Sequence, residues 1–527
     1  MGHLNMSSND NLERNTRTNW SLTFISRVTG LVRDGAISRM FGASPLASAF
    51  YFAFLIPNVF RRLFGEGALA AAFLPSFSKL QQEDPNQAKA FATLTISKLV
   101  VLLGGITLLG ELLLWFIVSK QAEPSPSLEL AMVMLPYMPL VCTVAIFAAM
   151  LHVHDRFGPP AAAPIILNGL MIASAFLFIG VFDNPLNHMV VIGISVLLAG
   201  LIQIGWSLFA LRKFGWYAQK TPEAQTEMKL MMRRMIPMII GLGTLQINTL
   251  IDGLIASWPT IFGDTFFFGL DYPLGEGAMS TLSWAQRLYQ FPLGVFGIAV
   301  ATAIYPLLAK QNKDEHLFTT ILHRGLRLVV FIGLPASAGL ILVRDPLVAT
   351  VFQGVNFTSD DAIKVGAILL GYAPAVWAYS MTQVLTKGFY AKEDAMTPVK
   401  VAMCCVVLNF FLNMTLIWTP LGTAGLAWST ACCAVVQVSI LMALIRKHVK
   451  VTVDRAVLQS WFSTAMLTIV MGGCVAYVTS VTWDPEGSWF QSFMTLCMTV
   501  GTGIFVMVLG SILIRRPELL WVLGKQR

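Results

Sequence analysis

The chain has 527 residues, of which 12% are charged and 56% are hydrophobic, and its formal net charge is +8. Ordinary globular proteins contain about 25% charged residues, and a soluble protein of this size could not cover so much apolar surface, so the soluble, disordered and disulfide-rich classes are excluded. The basic residues do not gather on one segment, as a nucleic-acid site requires, and the composition predicts a polytopic membrane protein without a nucleic-acid partner.

Apolar runs long enough to cross a bilayer recur along the chain between charged residues and turn signals such as Gly158-Pro159-Pro160. A helix needs about 20 apolar residues to span the hydrocarbon core, so these runs predict an all-α protein with about fourteen transmembrane helices. In chain order the predicted helices are 20–41, 46–78, 91–119, 127–153, 159–182, 187–213, 229–258, 279–309, 318–343, 359–391, 395–418, 422–446, 456–482 and 488–514.

The distribution of positive charge predicts the orientation of these helices. If odd-numbered helices run outward, the inner segments contain 25 Lys and Arg residues, whereas the outer loops contain only Lys120 and Arg344. This is the pattern of the positive-inside rule. We therefore expect a multi-pass protein of the bacterial plasma (inner) membrane with both termini in the cytoplasm. The polar residues 1–19 and the charges of the first helix do not fit a cleaved signal peptide.

Nine basic residues fall inside the predicted helices. Four of them lie near helix ends, from which long side chains reach the interface: Arg39, Lys98, Lys364 and Lys387. The other five lie deeper: Arg27, Arg33, Arg61, Arg62 and Arg287. Each costs about 2.5–3.5 kcal/mol at the membrane centre, so the five are expected to face protein or a water-filled cavity.

The spacing of these charges leaves two interpretations open for the second helix. Arg62 and Glu66 are four residues apart and can pair as a purely structural clamp, whereas Arg61 points about 100° away from Arg62. On the first helix, Arg27 and Asp34 are seven residues apart and share a face.

Three arginines have no nearby helical carboxylate: Arg27, Arg61 and Arg287. Guanidinium groups bind phosphate through paired hydrogen bonds. The sequence therefore predicts a cationic cavity inside the helical bundle that takes a phosphorylated lipid or a large anion.

The second and eighth predicted helices share features that predict bending and an internal duplication. Pro57, Gly65 and Gly67 interrupt the second helix, and Pro292 and Gly294 interrupt the eighth. Residues 73–79 resemble 304–310, and 160–168 resemble 398–409, in both cases six helices later, as in parallel repeats. The predicted organisation is a cytoplasmic tail 1–19, a six-helix lobe 20–213, a linker 214–228, a second six-helix lobe 229–446, two further helices within 456–514 and a tail 515–527.

Two stretches resemble the MurJ (MviN) family of lipid II flippases, within the multidrug/oligosaccharidyl-lipid/polysaccharide exporter superfamily. They are Ser26-Arg27-Val28-Thr29-Gly30-Leu31-Val32-Arg33-Asp34 and Ala53-Phe54-Leu55-Ile56-Pro57-Asn58-Val59-Phe60-Arg61-Arg62-Leu63-Phe64-Gly65-Glu66-Gly67-Ala68. The segments 287–295 and 388–400 give further matches. The resemblance implies transport of undecaprenyl-pyrophosphate-linked disaccharide-pentapeptide to the outer leaflet for peptidoglycan synthesis, and no enzymatic reaction.

The same resemblance implies roles for individual residues. The residues that match the family's cavity charges are Arg27, Arg33, Arg61, Arg62, Glu66 and Arg287, with Asp34 and Pro57 in support. The polyprenyl tail is expected along the last two helices, and cell-wall synthesis proteins are expected partners beside lipid II and bilayer lipids. Many relatives carry acidic residues where Ser48 and Gln286 stand, so an ion pair at those positions is absent or rebuilt.

The residues leave the energy source open. Asp252 lies well inside the seventh helix, and Asn409 and Asn413 share a face of the eleventh. A Na⁺ or proton site there is one interpretation, suggested by cation-coupled relatives, and a structural hydrogen bond of Asp252 is the other. The membrane potential is a further driving force, and no cofactor or resident metal is expected.

Two other functions compete with lipid II transport. A cation-coupled exporter of drugs or of another lipid-linked oligosaccharide is the first, although five arginines would repel cationic drugs. The second is a membrane enzyme acting on a lipid pyrophosphate, but no cluster of His and carboxylates or nucleophile arrangement supports it.

Overall fold

The computed structural model describes residues 2–65, 68–121, 123–220 and 224–523. Within these ranges the chain forms α-helices joined by short turns, and its extended structure is one isolated bridge between Thr265 and Asp271. The α-helices are α1 Gly2–Phe41, α2 Pro45–Phe60, α3 Ala68–Glu83, α4 Pro85–Val118, α5 Pro126–Met134, α6 Tyr137–Val153, α7 Gly158–Leu177, α8 Pro185–Arg212, α9 Ala224–Phe262, α10 Ala278–Pro292, α11 Ile298–Lys310, α12 Glu315–Leu342, α13 Arg344–Phe352, α14 Ser359–Tyr372, α15 Ala375–Ala391, α16 Met396–Leu416, α17 Ala424–Leu444, α18 Arg455–Thr482, α19 Trp489–Leu513 and α20 Pro517–Val522.

All fourteen predicted helices have a counterpart, which confirms the fold class. Among the described residues, eleven helical segments are long and apolar enough to cross a membrane. The other three predicted helices correspond to α1, to α2 with α3, and to α9. The fourth and tenth predicted helices are each split in two, next to Pro136 and Pro374, because proline cannot donate the backbone hydrogen bond of a helix interior.

Polar residues in the connecting segments determine where several helices begin. Asp84, Asn184, Asp314 and Asp454 each accept hydrogen bonds from backbone N–H groups of the first turn of the next helix. Thr358 forms a reciprocal capping box with Asp361 before α14. These caps satisfy N–H groups that the first helical turn leaves unpaired.

Contacts divide the chain into two compact units, Met1–Tyr272 and Pro273–Arg527. In the first unit α1 packs on α7, α2 packs on α5 and α9, and α6 lies between α4 and α8. In the second unit α15 packs on both α12 and α17, and α18 packs on α12 and α19. Helix α9, which the sequence places at the start of the second lobe, packs within the first unit, and the lobe boundaries at 213 and 229 stay predictions.

The neighbour pattern inside the units confirms the internal duplication. The pairs α2–α5, α4–α6, α6–α8 and α7–α8 recur six predicted helices later as α10–α14, α12–α15, α15–α17 and α16–α17. The bends predicted in the second and eighth helices fall on π-helical turns, Arg61–Gly65 and Leu293–Gly297. Both turns directly follow the first half of their helix, so the duplication extends to local backbone structure.

Small residues allow close packing in the second unit. A Cβ atom added at Gly371 of α14 would lie 2.8 Å from Cβ of Ala427 and 3.1 Å from the backbone nitrogen of Trp428, both on α17. Membrane helices pack closely through such small residues, since lipid supplies no hydrophobic drive for their association.

The C-terminal helix α20 is fixed to the second unit by buried charges. Glu518 is 0% exposed and accepts hydrogen bonds from Arg327 Nε at 2.8 Å and Ser460 Oγ at 2.7 Å. Its second oxygen lies 3.0 Å from Arg516 Nε. Burial raises the pKa of Glu518, but the hydrogen bond from Ser460 and the two cations outweigh burial, so the pKa lies below its usual value. Helices α13 and α20 were not predicted from the sequence, because both are too short to span a membrane.

Candidate functional site

The first predicted site residues, Arg33 and Asp34, form a buried ion pair. Asp34 Oδ1 accepts hydrogen bonds from Arg33 Nη2 at 2.6 Å and Nε at 3.0 Å, and the two side chains are 4% and 2% exposed. Tyr51 Oη of α2 donates to the same oxygen at 3.1 Å. Arg33 Nη1 also donates to Asn168 Oδ1 of α7 at 3.1 Å. The pair therefore connects α1 to α2 and α7.

Asn168 and Tyr51 are site residues that the sequence analysis did not select. Asn168 donates from Nδ2 to the backbone oxygen of Ser26 at 3.2 Å and to Thr29 Oγ1 at 3.1 Å. The guanidinium of Arg33 also lies over the ring of Phe54, 5.4 Å from its centroid. A polar residue inside an apolar helix was the available signal for Asn168.

Arg61 and Arg62 begin the π-helical turn that follows α2. Both are half-buried, and Arg61 Nε donates to Asn58 Oδ1 at 2.9 Å. The turn packs against α6. Glu66 lies outside the described residues, so its pairing with Arg62 stays a prediction.

Arg27 lies on α1 and Arg287 on α10, and both are half-buried. Beside Arg287, Gln286 Nε2 donates to Tyr372 Oη at 2.9 Å, and Tyr372 stacks on Tyr289 at 4.5 Å. Gln286, which replaces the acidic residue that the resemblance implies for many relatives, thus makes a neutral hydrogen bond. Ser48, the other departure, is fully buried on α2. Pro57 lies inside the same helix, one turn before the π-helical turn.

Among the residues of the predicted cation site, Asp252 belongs to the first unit and Asn409 and Asn413 to the second. On α9, Asp252 is 4% exposed and accepts a hydrogen bond from Asn248 Nδ2 at 3.3 Å. On α16, Asn413 Nδ2 donates to Asn409 Oδ1 at 2.9 Å. Ser429 of α17 accepts from Asn409 Nδ2 at 3.2 Å and donates to Asn413 Oδ1.

The predicted site residues are divided between the two units. The first unit contains Arg27, Arg33, Asp34, Pro57, Arg61, Arg62 and Asp252, and the second contains Arg287, Asn409 and Asn413. In the described part of the chain, no group of three or more His, Cys, Asp and Glu side chains has the arrangement of a metal site.

Comparison with known proteins assigns this chain to a family. A sequence model described as "Lipid II flippase MurJ" matches residues 37–498. The chain belongs to the MurJ family of lipid II flippases. MurJ proteins are transporters and not enzymes, and with its apolar helices this member is an integral inner-membrane protein. The resemblance read from the motifs is confirmed.

Individual relatives agree with the family match. A probable lipid II flippase MurJ of Vibrio cholerae is 31% identical over 514 residues, covering 92% of each chain. A solved structure titled "Lipid II flippase MurJ, inward closed conformation" superposes with a TM-score of 0.77 at 21% identity, covering 95% of this chain and 99% of that one. An inward-facing MATE-family multidrug resistance transporter of the MOP superfamily gives a TM-score of 0.60 at 12% identity, covering 86% and 98%. These two likenesses concern the fold.

Proposed function

We propose that this protein moves lipid II, an undecaprenyl-pyrophosphate-linked disaccharide-pentapeptide, from the inner to the outer leaflet by alternating access. The family match over residues 37–498 carries the proposal. The fold shared with an inward closed MurJ and an inward-facing MATE transporter supports alternating access. The family match does not favour export of drugs or of another lipid-linked oligosaccharide. Proteins of cell-wall synthesis are proposed partners.

The pyrophosphate is the part of lipid II that most needs the protein, because its charge cannot cross hydrocarbon unaided. Arg27, Arg61 and Arg287 supply cations within spanning segments, and each is half-buried. Water-poor surroundings strengthen a guanidinium–phosphate contact, and two parallel hydrogen bonds orient it. We assign these three arginines to contacts with the pyrophosphate.

The other arginines of the site are proposed to act with a fixed geometry. Arg33 is held by Asp34 and Asn168 with its side chain 4% exposed, so its proposed contribution is to fix the geometry of the site. Arg62 and Glu66 are proposed to form an ion pair on the second predicted helix, so that the carboxylate offsets the charge of Arg62. The 25-to-2 distribution of Lys and Arg supports cytoplasmic termini. The polyprenyl tail is proposed to follow α18 and α19, whose outer faces are apolar and exposed.

Coupling to a cation is part of the proposal, with Asp252 in the first unit and Asn409 and Asn413 in the second as candidate oxygen ligands. Asp252 is buried with an amide neighbour, and the amides of α16 bond to each other and to Ser429. We expect transport to depend on external Na⁺ or pH, and Asp252→Asn to remove that dependence. Transport by the wild type that responds to neither ion would contradict cation coupling and leave the membrane potential as the driving force.

The test is outer-leaflet appearance of lipid II in cells depleted of their own flippase. The cells carry the wild type, Arg27→Ala, Arg287→Ala or the control Lys364→Ala at equal membrane levels. Lys364 carries the same charge but pairs with Asp360 at 2.6 Å on the exposed end of α14, with the two side chains 58% and 70% exposed. We expect transport by the wild type and the control and loss with both arginine variants. Transport by all four would refute the arginine site, and none by a well-expressed wild type would refute the function.

A further inference from the structure

A cavity of about 410 Å³ lies at the end of α17, and none of the predicted site residues lines it. It is formed by the last turns of α17 and the segment that leads to α18. Its wall consists of Ser439, Met442, Ala443, Arg446, Lys450, Val451, Thr452 and Val453. The segment 446–455 contains four Lys and Arg residues against one Asp, and the charge distribution predicts that it lies on the cytoplasmic side.

The wall of the cavity contains two cations, Arg446 and Lys450, and apolar side chains that include Met442 and Ala443. Met442 and Ala443 are adjacent, and each lies three or four residues from Ser439 and from Arg446, so the four residues share one face of α17 and of the 3-10 turn Ile445–Lys447 that follows it. Because α17 runs toward the connecting segment, Met442 and Ala443 lie deeper along the spanning helix than Arg446. Arg446 and Lys450 are both exposed.

The carboxylates near the cavity either bind other groups or make only weak contacts with the cavity cations. Asp454 Oδ2 lies 3.3 Å from His323 Nδ1, and its other oxygen caps α18. Glu315 Oε2 is 3.8 Å from Lys450 Nζ, with the two side chains 46% and 86% exposed. Contact between exposed charges at that distance is weak, so the net charge at the cavity stays positive.

We propose that this cavity binds the headgroup of an anionic phospholipid, with the phosphate against Arg446 and Lys450. The guanidinium and the ammonium match the phosphate charge, and the apolar wall of Met442 and Ala443 matches the start of an acyl chain. A free phosphate ion has no apolar group that would contact Met442 and Ala443. A lipid held there contacts the connection between α17 and α18, where the second repeat meets the last two helices.

The test uses the full chain in a neutral detergent, with the thermal unfolding midpoint as the readout. The probes are short-chain phosphatidylglycerol, short-chain phosphatidylcholine and inorganic phosphate. The variant Arg446→Gln/Lys450→Gln removes both cavity cations. The control Lys447→Gln/Arg455→Gln removes the same charge from exposed residues of the same segment that do not line the cavity.

We expect phosphatidylglycerol, but not phosphatidylcholine, to raise the midpoint of the wild type. Each cation contributes about fivefold in affinity near an anionic headgroup, so the cavity variant should need about 30-fold more lipid for half of the effect. The control should need about the same amount as the wild type. All four side chains are exposed, and equal midpoints without lipid verify that both variants fold.

Three results would overturn the proposal. Equal weakening in both variants would indicate attraction by the charge of the whole segment. No response of the wild type to phosphatidylglycerol would show that there is no site. Stabilisation by inorganic phosphate as strong as that by the lipid would assign the cavity to a soluble anion.

Discussion

The buried pair of Arg33 and Asp34 allows a quantitative test of how the first unit is held together. Asp34→Leu leaves the guanidinium of Arg33 buried without its carboxylate, and Arg33→Met leaves the carboxylate without its cation. Removing one partner of a buried pair costs about 3–5 kcal/mol, because the remaining charge is desolvated and uncompensated. Either variant should therefore lower the thermal unfolding midpoint by on the order of 10 °C.

Replacing both partners should cost much less than the two single losses together. In Arg33→Met/Asp34→Leu no charge remains to be desolvated, and apolar side chains of similar volume fill the space. The expected coupling in this double-mutant cycle is about 3 kcal/mol or more. Midpoints of the wild type, the two single variants and the double variant in the same detergent give the cycle. Additive single effects would refute the view that the pair acts as a unit.

Transport by the same variants separates stability from substrate binding. If Arg33 also contributes its charge to the lipid pyrophosphate, the double variant should be folded at a normal membrane level yet transport poorly. A double variant that transports as well as the wild type would remove Arg33 from the substrate site and leave the pair with a structural role.

Further predictions concern the second unit. Glu518→Gln should detach α20 and expose it to added protease, since the loss of a buried charge partner of Arg327 costs about 3–5 kcal/mol. The control is Glu486→Gln, at an exposed residue. Unchanged protection of α20 in Glu518→Gln would contradict the role of Glu518 in fixing this helix. Because the folded-state pKa of Glu518 is lowered, its stabilisation should be complete above its unfolded pKa of about 4.5 and be lost as pH falls through the folded-state pKa, which protease protection against pH measures. Gly371→Ala should destabilise the protein by about 1–3 kcal/mol, because the added Cβ has no room against α17. The control Gly104→Ala should be neutral or stabilising, because no atom lies within 4 Å of its added Cβ. Equal unfolding midpoints of the two variants would refute the packing argument.

The helices were predictable because each depends on local properties. Apolar length, polar caps and proline positions are properties of consecutive residues, and all fourteen predicted helices were found. The bends at Gly65 and Gly294 were predictable for the same reason, although the sequence did not indicate that they would take the form of π-helical turns.

The partners of the charges were much less predictable. Asn168 is 135 residues from Arg33, and its hydrogen bond depends on how α7 packs on α1. In the same way, Ser429 of α17 completes the hydrogen bonds of Asn409 and Asn413, whose shared helical face the sequence did indicate. The sequence indicates that a buried charge needs a partner, but it does not indicate which distant residue supplies that partner.

The position of the π-helical turns relates the arginines to the motion that transport requires. A helix bends more easily at a π turn, since the regular hydrogen-bond pattern is interrupted there. Arg61 and Arg62 begin the first such turn, and Arg287 lies six residues before the second. A bend at either turn would therefore move the guanidinium groups assigned to the pyrophosphate. Alternating access and release of the anion would then be one structural change, because the helix segments that bend also carry the charges.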